Sequence, residues 1–177
     1  DKIYFMVTKP IIHFQDLSKT FGKGSSMVNA VVDLNLEIAP GQFYGFLGRN
    51  AAGKSTAVKM MLGMAKPSFG RVELFGREVT GPMPDVVGWV PQEIALYPHL
   101  TARENIWFGN VNLAPDGRGI AAAARHAGAD EVIHHLPAGY ETILGKWFED
   151  GEELSVGEWQ KVALARAFYC DAPVLVL

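Results

Sequence analysis

Gly48-Arg49-Asn50-Ala51-Ala52-Gly53-Lys54-Ser55-Thr56 is the stretch that decides how the chain is read. It satisfies the pattern G-x-x-x-x-G-K-[ST] in full, and its flanks supply the structural context that such a pattern requires. Upstream, Pro40 and Gly41 turn the chain into QFYGFLG (42–48), a short apolar run that predicts a strand. Downstream, Val58, Met61, Leu62 and Ala65 share one face of a predicted helix. A loop between a strand and a helix start points the backbone N–H groups of Gly48, Asn50, Ala51, Ala52, Gly53 and Thr56 inward, where the helix already favours anions. Lys54 adds a point charge suited to the β and γ phosphates of a nucleotide. Ser55 adds a hydroxyl suited to Mg²⁺, an ion that takes few protein ligands and keeps phosphate oxygens and waters for the rest.

Outward from this loop the chain alternates in type. IIHFQDLSKTF (11–21) and VNAVVDLNLEIA (28–39) show partial alternation of apolar and polar residues and predict two antiparallel strands. RVELFG (71–76) and DVVGWV (85–90) predict two more, the second leading to Pro91 and Gln92. From about Thr101 to Gly157 the pattern turns helical, with Ile120, Ala123, Ala124 and Ala127 aligned. A last helix over 157–169 leads to Val174-Leu175-Val176-Leu177, an unbroken apolar run of the kind that forms a buried parallel strand. The expected class is α/β.

Composition sets the outer bounds. With 49% hydrophobic and 20% charged residues, the 177-residue chain can bury a sizeable core. Sixteen basic against nineteen acidic residues give a net charge of -3, which provides no electrostatic footprint for nucleic acid and no polybasic membrane patch. The apolar run Ile3–Val7 is too short for a signal-peptide core, and no eighteen-residue apolar stretch occurs. The single cysteine, Cys170, excludes an internal disulfide and reads as helix packing. His134 and His135 are neighbours on a predicted helix and point to different sides, which argues against a metal pair. The acidic run Glu149, Asp150, Glu152, Glu153 reads as a solvated loop.

The loop alone leaves a kinase, a GTPase and a transport ATPase open, and later stretches separate them. Leu154-Ser155-Val156-Gly157-Glu158, running on into Trp-Gln-Lys-Val-Ala-Leu-Ala-Arg-Ala, resembles the signature L-S-G-G-Q and following helix of the nucleotide-binding domains of ATP-binding cassette (ABC) transporters. Val90-Pro91-Gln92-Glu93 is similar to that family's Q-loop, LTARENI follows it as in the family, and Phe21 stands where the family places an aromatic residue that stacks on adenine. The resemblance runs from about Ile11 to Leu177. It implies a P-loop NTPase three-layer core with an antiparallel β subdomain and a helical signature subdomain, divided as 11–92, 93–156 and 157–177 after a tail over 1–10. It implies ATP and Mg²⁺ as cofactors, with Lys54 and Gln92 in the catalytic centre and Ser55 and Gln92 at the metal. Ser155, Gly157 and Glu158 would meet the γ phosphate of a nucleotide held by a second nucleotide-binding domain. A transmembrane domain or subunit at the cytoplasmic face of a membrane would be the other partner, and export the work. Bland readings stand beside these: Ser155 to Glu158 also fits a capping box, Phe21 also fits the end of a half-buried strand, and Gln92 also fits an ordinary loop.

Departures from the family pattern sharpen the reading. Ala51 stands where the family has Gly, and left-handed backbone there would cost about 1–2 kcal/mol. Val156 replaces a signature glycine, and Glu158 puts a carboxylate where the family has an amide. GWVPQEIALYPHLTAREN (88–105) resembles ATPases made as separate subunits, whereas residues 136–168 resemble exporters whose ATPase is fused to a membrane domain, the pattern a chimera of two subfamilies would give. In the family, an Asp that helps hold Mg²⁺ and a Glu base follow the apolar strand, with a switch His further on. The 177 residues stop at Leu177 and begin without Met, which suggests a piece of a longer chain. Loss of a positioned base costs about 10²–10⁴ in rate. The expectation for this piece alone is ATP binding with little or no hydrolysis, the alternative being a truncated module that binds ATP weakly or not at all and does not hydrolyse it.

Overall fold

The computed structural model describes residues 9–83, 86–90, 97–147 and 151–177, in two compact units that divide after Met83. Gln92, Glu149 and Asp150 lie outside the described residues.

The first unit is a four-stranded antiparallel sheet of order β2-β1-β3-β4 with one helix. Its elements are β1 (Ile12–Phe21), β2 (Val28–Ile38), α1 (Lys54–Met61), β3 (Phe69–Leu74) and β4 (Arg77–Glu78). β1 is central, pairing with β2 through Ile12↔Ile38 and with β3 through Ile12↔Leu74. Its alternation is broken once. Ile12 and Phe14 are buried, and parity would then bury Asp16 and expose Leu17. Instead the register slips between Phe14 and Leu17, and Asp16 takes φ 49°, its N–H donating to Asn35 Oδ1 at 2.9 Å. This bulge turns Leu17, fully buried, back to the core face. Ile38 of β2, Val72 and Leu74 of β3, Ala57, Met60 and Met61 of α1 and the following Leu62 complete the buried set.

One predicted strand is absent. Residues 42–48 pair with no described strand, Phe43 and Leu47 are fully exposed and Tyr44 is half-exposed. An apolar run becomes a strand only where a neighbour supplies the ladder, and none does so here. Phe46 alone turns inward, its ring 6.4 Å from that of Phe14.

The second unit comprises β5 (Val87–Trp89), α2 (Ala102–Trp107), α3 (Gly117–His126), α4 (Asp130–His134), α5 (Val156–Tyr169) and β6 (Val174–Val176). Ile106, Ile120, Ala124, Ile133, Leu144, Val162 and Ala165 form its core, with α5 against α2 and α3. Gly109 permits the close approach at the end of α2, because a Cβ there would lie 2.1 Å from the Arg166 carbonyl oxygen. β5 and β6 pair in parallel, Val87 opposite Val174 and Trp89 opposite Val176. The final strand is therefore parallel as expected but not buried on both faces: Val174 is buried, whereas Leu175 is 38% and Leu177 77% exposed. Among the described strands, β5 is the only neighbour of β6.

Candidate functional site

The glycine-bearing loop delivers α1 in the manner the pattern requires. Gly53 is the residue before the helix, at φ 80°, and no side chain caps the helix start. The N–H groups of the first turn, Lys54 to Thr56, have no acceptor within their own helix, so an uncapped start leaves them available to an anion. Ala57 N–H already donates to the Gly53 carbonyl at 2.9 Å, which closes the first helical turn. Gly53 is required for a second reason. A Cβ on it would lie 2.1 Å from the Ala30 carbonyl oxygen of β2, which the loop abuts.

Ala51 adopts φ 65°, so the residue that replaces the family's glycine does sit in left-handed backbone. Ala52 N–H donates to the Arg49 carbonyl at 3.2 Å and tightens the turn. Lys54 crosses the loop, its Nζ donating to the carbonyls of Gly48 at 2.6 Å and Arg49 at 2.8 Å. An ammonium held against two loop carbonyls, beside helix-start N–H groups with no acceptor in their own helix, is a donor set that fits a polyphosphate. Ser55 is exposed on the first turn and offers one hydroxyl, which suits an ion that takes most of its oxygens from phosphate and water. Asn50 is exposed, and Thr56 is half-buried on α1.

Phe21 ends β1 in the same unit, 48% exposed. The Lys19 ammonium lies 5.1 Å from its ring centroid and is anchored by donating to the Lys66 carbonyl at 2.7 Å. A ring exposed to this extent is available for stacking.

The predicted phosphate-facing residues of the second unit meet at the start of α5. Ser155 is the capping residue: Glu158 N–H donates to Ser155 Oγ at 3.4 Å, and Glu158 Oε2 accepts from Ser155 N–H at 2.8 Å and from its hydroxyl at 2.7 Å. The hydroxyl first, and then the backbone N–H, hold the Glu158 carboxyl below the ordinary carboxylate range. Val156 is 70% exposed, and the space where a Gly157 side chain would stand is open.

A buried polar hub in this unit has no counterpart among the sequence-predicted site residues. Asn105 is fully buried; its Oδ1 accepts from Tyr97 N–H at 2.9 Å and its Nδ2 donates to the carbonyls of Tyr97, Leu100 and Thr101. Arg166 of α5 donates from Nε to the Asn105 carbonyl at 2.8 Å and from a terminal nitrogen to Asn105 Oδ1 at 3.0 Å, and its guanidinium lies 5.3 Å from the Tyr97 ring. Burial pushes the Arg166 guanidinium down from its ordinary value. The available signal was the T-x-x-E of Thr101 to Glu104, a capping box that starts α2 and puts Asn105 on its inner face.

Residues 31–177 match the family model described as "ABC transporter". The chain is similar to the ATP-dependent lipid A-core flippase of Chromohalobacter salexigens, 34% identical over 161 residues that cover 89% of this chain and 27% of that protein. It is also similar to the spermidine/putrescine import ATP-binding protein PotA of Thermobifida fusca, 34% identical over 170 residues, 95% of this chain and 42% of that protein. Among solved structures, a bacterial Atm1-family ABC exporter with ATP bound superposes with a TM-score of 0.80 at 30% identity, over 97% of this chain and 29% of the exporter chain. The chain thus spans between about a quarter and a half of the length of these relatives.

Proposed function

Because the chain belongs to the ABC transporter family, we propose that it binds ATP with Mg²⁺ and couples its binding and hydrolysis to transport by a membrane partner. The observation that carries this reading is the uncapped start of α1 behind a loop across which Lys54 reaches to the Gly48 and Arg49 carbonyls. In this reading Lys54 and the first-turn N–H groups hold the β and γ phosphates, Ser55 and Gln92 hold the metal, and Phe21 stacks on the base. When bound, Mg²⁺ neutralises charge on the transferring phosphoryl group. Ser155 and Gly157 meet the nucleotide of a second such domain, as the family resemblance implies. Gln92 links the nucleotide to a transmembrane domain or subunit, at the cytoplasmic face of the membrane. No described helix is long and apolar enough to cross a membrane. Export is the direction supported by the likeness to an exporter structure and to a flippase, while the likeness to an import protein favours the reverse.

Lys54→Ala tests the reading. Equilibrium titration with ATP is expected to show at least about a tenfold loss of affinity, and any phosphate release is expected to fall about 10²–10³-fold, the cost of losing one charge-stabilising donor. Unchanged binding would overturn the reading. A second reading is a module that binds ATP weakly or not at all and does not hydrolyse it; the left-handed Ala51 in the loop favours its weak binding. Binding without measurable phosphate release would select it.

A further inference from the structure

The two helix starts that this reading assigns to phosphate are built in opposite ways. α1 begins bare, with no side chain over its first-turn donors. α5 begins with a carboxylate of its own chain already in place: Glu158 Oε2 accepts both the Ser155 N–H and the Ser155 hydroxyl. We infer that Glu158 is a self-supplied anion which a nucleotide's terminal phosphate must displace from Ser155, so that Glu158 sets how tightly two copies of the chain close on ATP. The inference rests on the proposed reading, in which Ser155 and Gly157 meet the nucleotide carried by a second copy.

The argument is one of competition for a single hydrogen. A serine hydroxyl has one proton to donate, and this one is given to Glu158. Contact with a phosphate oxygen therefore requires that the bond to Glu158 be broken. Charge acts in the same direction, because an ionised carboxylate beside an incoming phosphate is a like-charge pair in a desolvating interface. The carboxylate also has room to withdraw. Nothing lies within 4 Å of the position a Gly157 side chain would take, and Glu158 is itself only half-buried. Thr101 and Glu104 form the same box at the start of α2, with Glu104 Oε2 accepting the Thr101 N–H at 2.8 Å and its hydroxyl at 3.0 Å. There the box serves as a cap. At α5 the same cap stands where the reading requires a phosphate.

Glu158→Gln isolates the charge, because a glutamine at this position still accepts the Ser155 N–H and completes a capping box. ATP-dependent self-association of the two proteins, with Mg²⁺ present, is compared by sedimentation velocity, after thermal melting has established that both are folded. The variant is expected to associate at least about tenfold more tightly, as removal of one like-charge contact implies. Equal association of both proteins would overturn the inference and leave the two-copy reading standing. ATP binding by both with association by neither would overturn the two-copy reading, and the inference with it.

Discussion

A methyl group at position 51 marks where this loop departs from its relatives, and its cost can be stated. Ala51 sits at φ 65°, where an L-residue pays about 1–2 kcal/mol that glycine does not. Glycine in turn gives up about 0.4–1 kcal/mol through the greater freedom of its unfolded chain. Ala51→Gly is therefore expected to stabilise the first unit by about 1 kcal/mol, read as a higher denaturant midpoint at unchanged slope. A lower midpoint would mean that the turn carries no strain. Phe21 shows the opposite limit of residue-level reading. Its place at the end of a strand was evident from sequence, but its exposure was not, and the Lys19 ammonium near its ring is anchored by the carbonyl of Lys66, 47 residues away in sequence.

Among the elements, the helix starts were the most legible. S-x-x-E before a helical pattern identifies Ser155 and Glu158 as a reciprocal cap, because both bonds lie within one turn and need no tertiary partner. The same signal at Thr101 to Glu104 marks another cap, and it places Asn105 on the first turn of α2. The α5 cap has a definite pH dependence. Because Ser155 holds the folded-state carboxyl of Glu158 below its ordinary value of 4.5, its contribution is fully present above that value and is lost as pH falls through the lower folded value. The melting temperature of the wild-type protein is expected to exceed that of Glu158→Gln near neutrality, and the gap to close in the acid range below about pH 4.5. A gap independent of pH would show that the charge contributes nothing to the cap. Strands were less legible than helices. The bulge at Asp16 has no local signature, and 42–48 reads as a strand from its apolar content, although a ladder depends on a neighbour that no local pattern specifies.

For the molecule as a whole, the family was legible because three motifs occur in order: the loop at 48–56, the Gln92 region and the stretch from Leu154 to Glu158. Each is a local pattern with a local physical cause, and together they agree with the family model over residues 31–177. The arrangement of strands was only partly legible. The antiparallel pair β1 and β2 follows from alternation, whereas the parallel pairing of β5 with β6 joins segments 87 residues apart at Val87 and Val174, a closure that only packing decides. The direction of transport has no local signature. Relatives of similar identity include both a flippase and an import protein.

The contact between Gly53 and the Ala30 carbonyl changes how variants of the loop must be interpreted. A side chain at 53 collides with the main chain of β2 before any ligand arrives, so a binding defect caused by Gly53→Ala confounds a displaced strand with a lost phosphate contact. The two can be told apart without nucleotide. Gly53→Ala is expected to lower the melting temperature of the ligand-free protein, whereas Lys54→Ala is expected to leave it within a few degrees; equal melting of the two variants would dissociate the loop from its strand. Glycine at 53 thus reports on the sheet, and lysine at 54 is the cleaner genetic handle on the nucleotide.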